Sequence, residues 1–401
     1  MKRRKLIKAM SVAAGFGLSH KLVYAQKVPK VAVVGAGIVG ASIAYYLSKQ
    51  GGDVVVLEKS KPAVQASGNS FAWLNATYFD SPHSYFELRS ESLLAYHRLQ
   101  RELALPVHWG GSLEWYAEDD RQQELVSGVS RIRASGSQTR IIGKQDLSSI
   151  EANLQVDENA RIAYAVGEGA VNPKAMTEVL LAAVVRNGGV VQYPAEVSAV
   201  QSIGNKVRVA TQNDTLEVDK VVLATGIDTN SILKMAGVNQ EPMLPATPGI
   251  LVTTKPMPQI LNAVVYTNKT HIHQLLDGRV IVGEKAGPPQ TSQHGSYLQG
   301  KPNQYPDPSL AAEHARRVLA IAQDYLPQLG NAEAESVGIG WRPLPKDGLP
   351  VLGQPAGAPG IYVAATHSGV TLAPIIGELA SQEILEGVRL EQLSPYRIER
   401  F

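Results

Sequence analysis

The chain has 401 residues against roughly 100 to 200 for a typical domain, which predicts one large or two interleaved domains with a sizeable buried core. Its 44% hydrophobic and 18% charged residues argue against disorder and against a coiled coil. The 38 basic and 36 acidic residues give a formal charge of +2, too balanced for a general nucleic-acid binder. Cysteine is absent, which excludes disulfides, thiolate catalysis and cysteine metal sites.

Residues 1–25 have the features of a secretory signal. They contain six basic groups and no acid, an apolar run over residues 9–18 that is too short to span a bilayer, and a small-residue cleavage pattern ending at Ala25. The adjacent Arg3 and Arg4 resemble the twin-arginine export motif, with an ordinary basic leader as the alternative. Cleavage would change the formal charge from +2 to −4. We expect a folded, exported, periplasmic protein with no membrane helix in the mature chain.

A strand, turn, helix and second strand follow the leader. Residues 31–34 form a continuous apolar run typical of a buried parallel strand, and a glycine-rich turn and a helix over residues 41–49 come next. The second strand, residues 53–57, ends in Glu58, which lies 23 positions after Gly35. This spacing is that of the dinucleotide-binding fingerprint.

Each glycine of this turn has a structural role. Gly35 permits the tight turn, Gly37 lets the backbone approach a pyrophosphate, and Gly40 allows close packing of helix against strand. The helix N-terminus offers free N–H groups and about half a unit of positive charge. Glu58 can accept hydrogen bonds from ribose hydroxyls and would repel a 2′-phosphate, which disfavours NADP. The fingerprint alone does not separate NAD from FAD, and a glycine-rich turn without a ligand is the structural alternative.

Later segments of the chain narrow the choice between NAD and FAD. A small-residue loop, residues 66–70, is suited to a backbone that lies against a bulky ligand. Residues 221–226 predict another buried strand that ends in small residues. Residues 361–365 predict a strand that leads through residues 366–371 into an apolar helix over about residues 372–386.

Together these segments resemble the D-amino acid oxidase-like FAD oxidoreductases, the group that contains glycine oxidase, sarcosine oxidase and D-amino acid dehydrogenase. The resemblance covers nearly all of residues 28–390, and its most specific parts are the fingerprint with Glu58-Lys59, the Ala224-Thr225-Gly226 strand end, Gly340-Trp341-Arg342-Pro343, and residues 347–353. It implies an α/β fold in which a discontinuous Rossmann-type FAD-binding domain carries an inserted α+β substrate domain built on a mostly antiparallel sheet.

The resemblance implies non-covalent FAD, because the cysteine through which some sarcosine oxidase relatives attach flavin is missing; only a histidine could serve instead. The turn at residues 369–371 is expected beside the pyrimidine edge of the flavin, where a helix N-terminus stabilises the negative charge of the reduced ring. Two roles are considered for His367: it contacts flavin or substrate, or it is a capping or packing residue. The expected cofactor-binding residues are Gly35, Ala36, Gly37, Ile38, Val39, Gly40, Glu58, Lys59, Ala66, Ser67, Gly68, Asn69, Ser70, Val197, Ala224, Thr225, Gly226, His367, Gly369, Val370 and Thr371.

The segments between the nucleotide-binding parts differ in character, which predicts a second domain inserted twice. The predicted order is an export signal (1–25), FAD-binding segments (28–88, 166–245 and 336–392), substrate-domain segments (89–165 and 246–335) and a tail (393–401). Predicted helices cover residues 82–103, 119–134, 145–154 and 173–187, and predicted strands cover residues 111–116 and lie near residues 190 and 206. Residues 249–284 predict sheet with a hairpin turn at Asp277-Gly278, and residues 287–308 predict a loop.

The candidate catalytic residues are Arg342, His271 and His273. By resemblance Arg342 clamps the substrate carboxylate, a task suited to a bidentate guanidinium; an ion pair within the domain is the alternative. His271 and His273 face the same side of a predicted strand, and are open between substrate ligands and ordinary sheet residues. Metal binding is disfavoured because no carboxylate or cysteine cluster accompanies them. Tyr266 and Trp73 are weaker candidates, since aromatic residues commonly fill cores.

The expected activity is oxidation of the C–N bond of a small amino acid, with oxygen or a respiratory quinone or cytochrome as electron acceptor and no nucleic-acid partner. Glycine oxidase has a further arginine in the turn that matches residues 366–369, and this chain lacks it, which leaves the preferred amino acid open. Two alternatives remain: oxidation of a 2-hydroxy acid, which would need a base such as His271 or His273, and a flavin-carrying assembly protein without turnover.

Overall fold

The computed structural model describes residues 28–77, 79, 81–287 and 289–401, so the predicted export signal lies outside the described residues. In chain order the strands are β1 (Lys30–Val34), β2 (Asp53–Leu57), β3 (Trp73–Leu74), β4 (Val107–His108), β5 (Ser112–Glu114), β6 (Arg140–Ile142), β7 (Ile162–Ala165), β8 (Gly169–Val171), β9 (Val190–Gln192), β10 (Val197–Ile203), β11 (Lys206–Thr211), β12 (Thr215–Val218), β13 (Lys220–Leu223), β14 (Thr247–Thr254), β15 (Val264–Tyr266), β16 (Thr270–Gln274), β17 (Val280–Glu284), β18 (Ala334–Arg342), β19 (Val351–Gly353) and β20 (Ile361–Ala365).

The helices are α1 (Ile38–Lys49), α2 (His83–Leu103), α3 (Asp119–Ala134), α4 (Lys144–Ile150), α5 (Pro173–Arg186), α6 (Thr229–Met235), α7 (Ser292–Leu298), α8 (Pro308–Gln323) and α9 (Gly369–Glu386). Short 3₁₀ helices cover Gly226–Asp228, Pro327–Asn331, Glu391–Tyr396 and Ile398–Arg400. Within the described residues, no helix combines the length and the hydrophobicity needed to cross a bilayer.

A six-stranded sheet, which we call the parallel sheet, has the order β19-β20-β13-β1-β2-β9, and all its strand pairs are parallel except β19 with β20. Its strands are apolar on both faces because both are covered. Val33 and Val56 face a core with α1, α2, α5 and α9, whereas Val34 and Leu57 face a core shared with the antiparallel β10-β11-β12 sheet. This layered arrangement leaves the carboxyl ends of β1, β2, β13 and β20 at one edge.

An eight-stranded sheet, which we call the large sheet, has the order β18-β14-β17-β16-β15-β5-β7-β6 and is antiparallel except for the pair β15 and β5. One face packs on α8, because Val252, Val282 and Ile272 share a core with apolar residues of that helix. The opposite face, which we call the inner face, lies against the segment between β2 and β3, where Phe71 contacts His271 and His273. A small sheet, β3-β8-β4, contacts both large units: β3 packs against α9, and Glu168, directly before β8, accepts from Ser112 of β5. The fold class expected from the sequence is therefore confirmed.

Most predicted elements are present, and the differences have local causes. The predicted loop over residues 287–308 was wrong in part, because it contains α7, whose first turn is capped by the Thr291 side chain accepting from the His294 N–H. Helix α4 ends at Ile150, four residues earlier than expected. The expected domain boundaries at residues 88/89 and 335/336 fall inside α2 and β18.

Residues 393–401, expected as a tail, pack against the rest of the chain. Leu393, Tyr396 and Ile398 are fully buried. Arg397 donates hydrogen bonds to both carboxylate oxygens of Glu383 on α9. The segment therefore belongs to the core of the parallel-sheet unit.

We expect the substitution Gly40→Ala to destabilise the protein by about 1 to 3 kcal/mol, because overpacking strains a filled contact. A Cβ on Gly40 would lie 2.0 Å from the Gly35 carbonyl oxygen and 3.2 Å from the Ala224 Cβ. The matched control is Gly295→Ala in α7, where a Cβ meets no atom within 4 Å and helix propensity predicts a gain of about 0.5 to 1 kcal/mol. Thermal unfolding of both variants tests this, and equal midpoints would contradict the packing argument.

Candidate active site

A cavity of about 360 Å³ opens at the carboxyl edge of the parallel sheet. It lies where the strand order reverses between β1 and β13, the position at which open α/β sheets bind ligands. The predicted cofactor residues that line it are Gly35, Gly37, Ile38, Val39, Glu58, Lys59, Ala66, Ser67, Ser70, Val197, Ala224, Thr225, Gly226, His367, Gly369 and Val370. Segments far apart in sequence thus meet around one space.

Five predicted cofactor residues do not line the cavity but support its wall: Ala36, Gly40, Gly68, Asn69 and Thr371. Gly68 allows a close approach, since a Cβ there would lie 2.0 Å from the Ala63 carbonyl oxygen. The Asn69 side chain donates to the carbonyls of Val64 and Gln65 and so closes the small-residue loop. The Thr371 hydroxyl donates to the Trp73 carbonyl oxygen over 2.9 Å.

The glycine turn has the geometry that the fingerprint requires. Gly35 has a φ of +103°, and its N–H donates to the Leu57 carbonyl oxygen over 2.8 Å, which joins the turn to β2. A Cβ on Gly35 would lie 2.5 Å from the Ala224 carbonyl oxygen at the end of β13. Any side chain there would push the turn away from β13 and change the cavity.

Two helices begin at the cavity, and in neither does the residue before the helix cap it with its own side chain. Gly37 precedes α1 and has no side chain to offer, and Ser368, the residue before α9, makes no capping bond to its helix. The Ser368 hydroxyl instead accepts a hydrogen bond from Arg89 over 2.9 Å. In α1, Ser67 accepts from the Ile38 N–H. Both helix ends therefore direct positive potential toward the cavity, which suits an anionic ligand.

Glu58 is held at the cavity by its own neighbours. Its side chain is buried, and one carboxylate oxygen accepts from the Ala36 N–H over 2.9 Å while the other accepts from the Ser60 N–H over 3.0 Å. The Ser60 hydroxyl also donates to the second oxygen over 3.3 Å, so the oxygen that accepts from Ala36 is the one that keeps a lone pair for a ribose hydroxyl. The donor and acceptor set therefore fits an adenine dinucleotide: a ribose at Glu58 and a diphosphate at the start of α1.

Lys59 lines the cavity but is already paired. Its Nζ lies 2.6 Å from the Asp228 carboxylate, and both side chains keep substantial solvent exposure. This ion pair joins the end of β2 to the 3₁₀ helix after β13.

The inner face of the large sheet carries the predicted substrate residues. In the strand register, Tyr266 pairs with His271, which pairs with Gly283. Arg342 lies over Gly249, where a Cβ would be 3.0 Å from the guanidinium Nε. The glycines give the long side chains of this face room to lie against the backbone.

His271 and His273 both contact Phe71, with ring centroids 4.4 Å and 4.9 Å apart. Burial, with Lys285 and Arg342 nearby, lowers the pKa of His271 to about 3, and burial lowers the pKa of His273 to about 4. The two imidazoles are therefore neutral at pH 7. His367, at the cavity, is likewise neutral because burial, with Arg342 and Arg89 nearby, lowers its pKa to about 4.

Arg342 makes no hydrogen bond or ion pair with any residue in the part of the chain that the structure describes. Its positive charge nevertheless contributes, after burial, to the lowered pKa values of His271 and His367. An ion pair within the domain, the alternative considered for Arg342, is therefore not formed among the described residues, and the guanidinium is available to a ligand carboxylate.

Residues that sequence patterns did not single out complete the inner face. Lys285 lies 3.9 Å above the Tyr266 ring and donates to its hydroxyl. Glu114, which pairs in register with Tyr266, accepts a short hydrogen bond from Tyr116. Lys285 follows the last residue of β17 and lies two residues after Gly283, so the two-residue periodicity of a strand indicates this face. That periodicity does not identify which strands lie beside it.

Glu168 orients the aromatic wall beside this face. Its fully buried carboxylate accepts hydrogen bonds from the Trp73 indole over 2.9 Å, the Thr77 N–H over 2.9 Å and the Ser112 hydroxyl over 2.6 Å. The Trp73 ring in turn lies 5.2 Å from the Tyr266 ring. Within the described residues there is no group of three or more His, Asp or Glu side chains arranged to hold a metal ion.

Comparison with known proteins agrees with this geometry. The family model described as FAD dependent oxidoreductase matches residues 30–383. The chain belongs to this family. It is 26% identical over 390 residues to glycine oxidase from Bacillus licheniformis, with 92% of this chain and 96% of that protein covered. It is 25% identical over 372 residues to mitochondrial dimethylglycine dehydrogenase from Rattus norvegicus, with 88% of this chain and 43% of that protein covered.

The crystal structure of glycine oxidase from Geobacillus kaustophilus is similar, with a TM-score of 0.82 at 23% identity and coverage of 93% of this chain and 99% of that chain. The resemblance inferred from the sequence is confirmed. The protein is an FAD-dependent oxidoreductase, and the residues that line the cavity at the carboxyl edge fit the ribose and diphosphate of FAD.

The buried Glu114 should make stability depend on pH. Burial raises the pKa of Glu114 from 4.5 to about 7, so between these values the native state holds a proton that the unfolded state has lost, and stability falls as pH rises through this window. Glu114→Gln carries no such proton. We expect its free energy of unfolding relative to wild type to increase by up to about 3 kcal/mol from pH 4.5 to pH 8.

Urea unfolding of both proteins at several pH values measures this difference. The control is Glu158→Gln, at an exposed residue paired with Lys144 on the surface, for which we expect no comparable trend. A Glu114→Gln difference that stays constant with pH would show that Glu114 is ionised throughout.

Proposed function

We propose that this protein oxidises the C–N bond of a small amino acid, of the D-amino acid, glycine or N-alkyl glycine type, to an imine that water hydrolyses to a keto acid and ammonia or an amine. Bound FAD supplies the redox chemistry by accepting a hydride from the substrate. The observation that carries the proposal is the guanidinium of Arg342, which lies on the inner face of the large sheet and has no partner among the described residues. Relatives named glycine oxidase and dimethylglycine dehydrogenase agree with it.

Arg342 would bind the substrate carboxylate and fix the orientation of the carbon that loses hydride. A planar guanidinium can donate two parallel hydrogen bonds to a carboxylate, which restricts rotation as well as position. Holding the reacting C–H bond in line with its acceptor is itself a large part of the catalysis in such a reaction. Arg342 stands at the end of β18, a strand of the large sheet, so the clamp is built on a rigid element.

The protonation states of the side chains in the site favour an amine substrate over a hydroxyl substrate. Removal of a hydroxyl proton needs a base whose pKa is near the working pH. The lowered pKa values of His271 and His273, caused mainly by burial, make both imidazoles weak bases. An amine needs only to enter in its neutral form, and the cationic surroundings of Arg342 and Lys285 disfavour the ammonium form of a bound amine.

Anaerobic mixing of the holoenzyme with matched substrates tests the proposed reaction. D-alanine, glycine and sarcosine are compared with D-lactate and glycolate, and the loss of the oxidised flavin absorbance is followed over time. We expect the amine panel to reduce the flavin and the hydroxy acids to leave it oxidised. Reduction by hydroxy acids alone would support the alternative activity, and no reduction by either panel would contradict amino acid oxidation.

We expect Arg342→Ala to raise the dissociation constant for the amino acid by about tenfold to a hundredfold, because a charge-assisted hydrogen bond to a carboxylate is lost. Arg342→Lys should recover part of the affinity, since it keeps the charge but not the planar fork. The control is Arg279→Ala, which removes a half-buried arginine that directly precedes β17 of the same sheet and pairs with Glu335. The concentration dependence of flavin reduction gives the constants, and unchanged values in Arg342→Ala would remove this residue from the site.

A further inference from the structure

The inner face presents a second cation, Lys285, in addition to Arg342. Lys285 directly follows β17, and Arg342 ends β18, with only β14 between these strands. Two strand spacings, roughly 10 Å, therefore separate the backbones that carry the two cations. The electrostatic influence of Arg342 reaches both Lys285 and His271, which lies beside Tyr266 on the same face.

Lys285 has a hydroxyl but no carboxylate as its partner. Its ammonium group donates to the Tyr266 hydroxyl and lies over the Tyr266 ring, and it forms no ion pair among the residues that the structure describes. The tyrosine is neutral, because burial raises the pKa of Tyr266 to about 12. Lys285 also keeps solvent access, so an incoming anion can reach it.

The nearby acid does not balance this charge fully. Glu114 interacts electrostatically with Lys285, but it is buried and accepts its hydrogen bond from Tyr116. Two other cations at the edge of the large sheet are neutralised directly, in the ion pairs of Arg279 with Glu335 and of Lys255 with Glu333. Two cations without carboxylate partners that face one space repel each other, and a ligand with two negative groups would relieve that repulsion.

We propose that the substrate carries two carboxylates, one bound by Arg342 and the second by Lys285 with the Tyr266 hydroxyl. The substrate class is therefore an amine flanked by two carboxylates, either an amino dicarboxylic acid or an N-(carboxyalkyl) amino acid. The inference rests on the proposed function, because it adds a second contact for the same substrate that Arg342 binds through one carboxylate. Lys285 is then a residue that determines specificity, and its removal affects one end of the substrate only.

Binding of unreactive acids tests the second subsite without turnover. The holoenzyme is titrated with butyrate and with glutarate, which differ by one carboxylate, and the shift of the flavin absorbance gives each dissociation constant. We expect glutarate to bind about tenfold to a hundredfold more tightly, the range for a charged hydrogen bond. Lys285→Met should abolish that preference with little change for butyrate, and Lys285→Arg should retain most of it.

The matched control is Lys269→Met, which removes an exposed lysine whose carbonyl accepts from the Lys285 N–H. It should keep the wild-type preference. Equal affinity of butyrate and glutarate in wild type, or an equal loss for both acids in Lys285→Met, would overturn the two-carboxylate site. If Lys285→Met does not fold, the wild-type ratio and Lys285→Arg still decide the question.

The reductive reaction separates this inference from the proposed function and distinguishes the two forms of substrate. Aspartate enantiomers are compared with asparagine enantiomers, and iminodiacetate with sarcosine, in anaerobic flavin reduction. A preference for aspartate places the second carboxylate on the side chain, and a preference for iminodiacetate places it on the nitrogen. Reduction without either preference overturns the inference alone, whereas preferential binding of glutarate without reduction by any amine supports the subsite and overturns amine oxidation.

Discussion

The site depends on one close approach, that of the glycine turn after β1 to the carboxyl end of β13. The space in which a Gly35 side chain would stand is filled by the Ala224 carbonyl, 2.5 Å from the Cβ position. Gly40 makes the corresponding contact on the helix side, against Gly35 itself. Because these contacts hold β1, α1 and β13 together, the start of α1, Glu58 and the turn before α9 converge on one cavity.

Positive potential reaches this cavity from both of its sides, but its source differs between them. On the side of the parallel sheet the positive potential comes from the starts of α1 and α9, which are fixed backbone dipoles. On the inner face of the large sheet it comes from the side chains of Arg342 and Lys285, whereas His271 and His273 on the same face are held neutral by burial. Under the proposed function, separate sets of groups would therefore bind the cofactor and the substrate.

Local patterns singled out many of the residues that the structure brings together at the cavity beside the parallel sheet. The turn at Gly35, the acid at Glu58 and the strand before His367 can each be identified within a short window, because glycine geometry and strand periodicity act over few residues. Arg342 could be singled out only through resemblance to a family. Lys285 and Glu114 could not be singled out, since their position beside Tyr266 depends on the pairing of β15 with both β16 and β5, strands far apart in sequence. The roles of His271 and His273 stay predictions.

The most direct test of the account is the uptake of FAD by the apoprotein. The protein is stripped of flavin under mild denaturation, refolded and titrated with FAD, while flavin fluorescence reports binding and acid precipitation reports covalent attachment. The account predicts saturable binding of one FAD per chain and release of all flavin into the acid supernatant. Failure to bind FAD in excess, by protein that is otherwise folded, would contradict the assignment of the cavity.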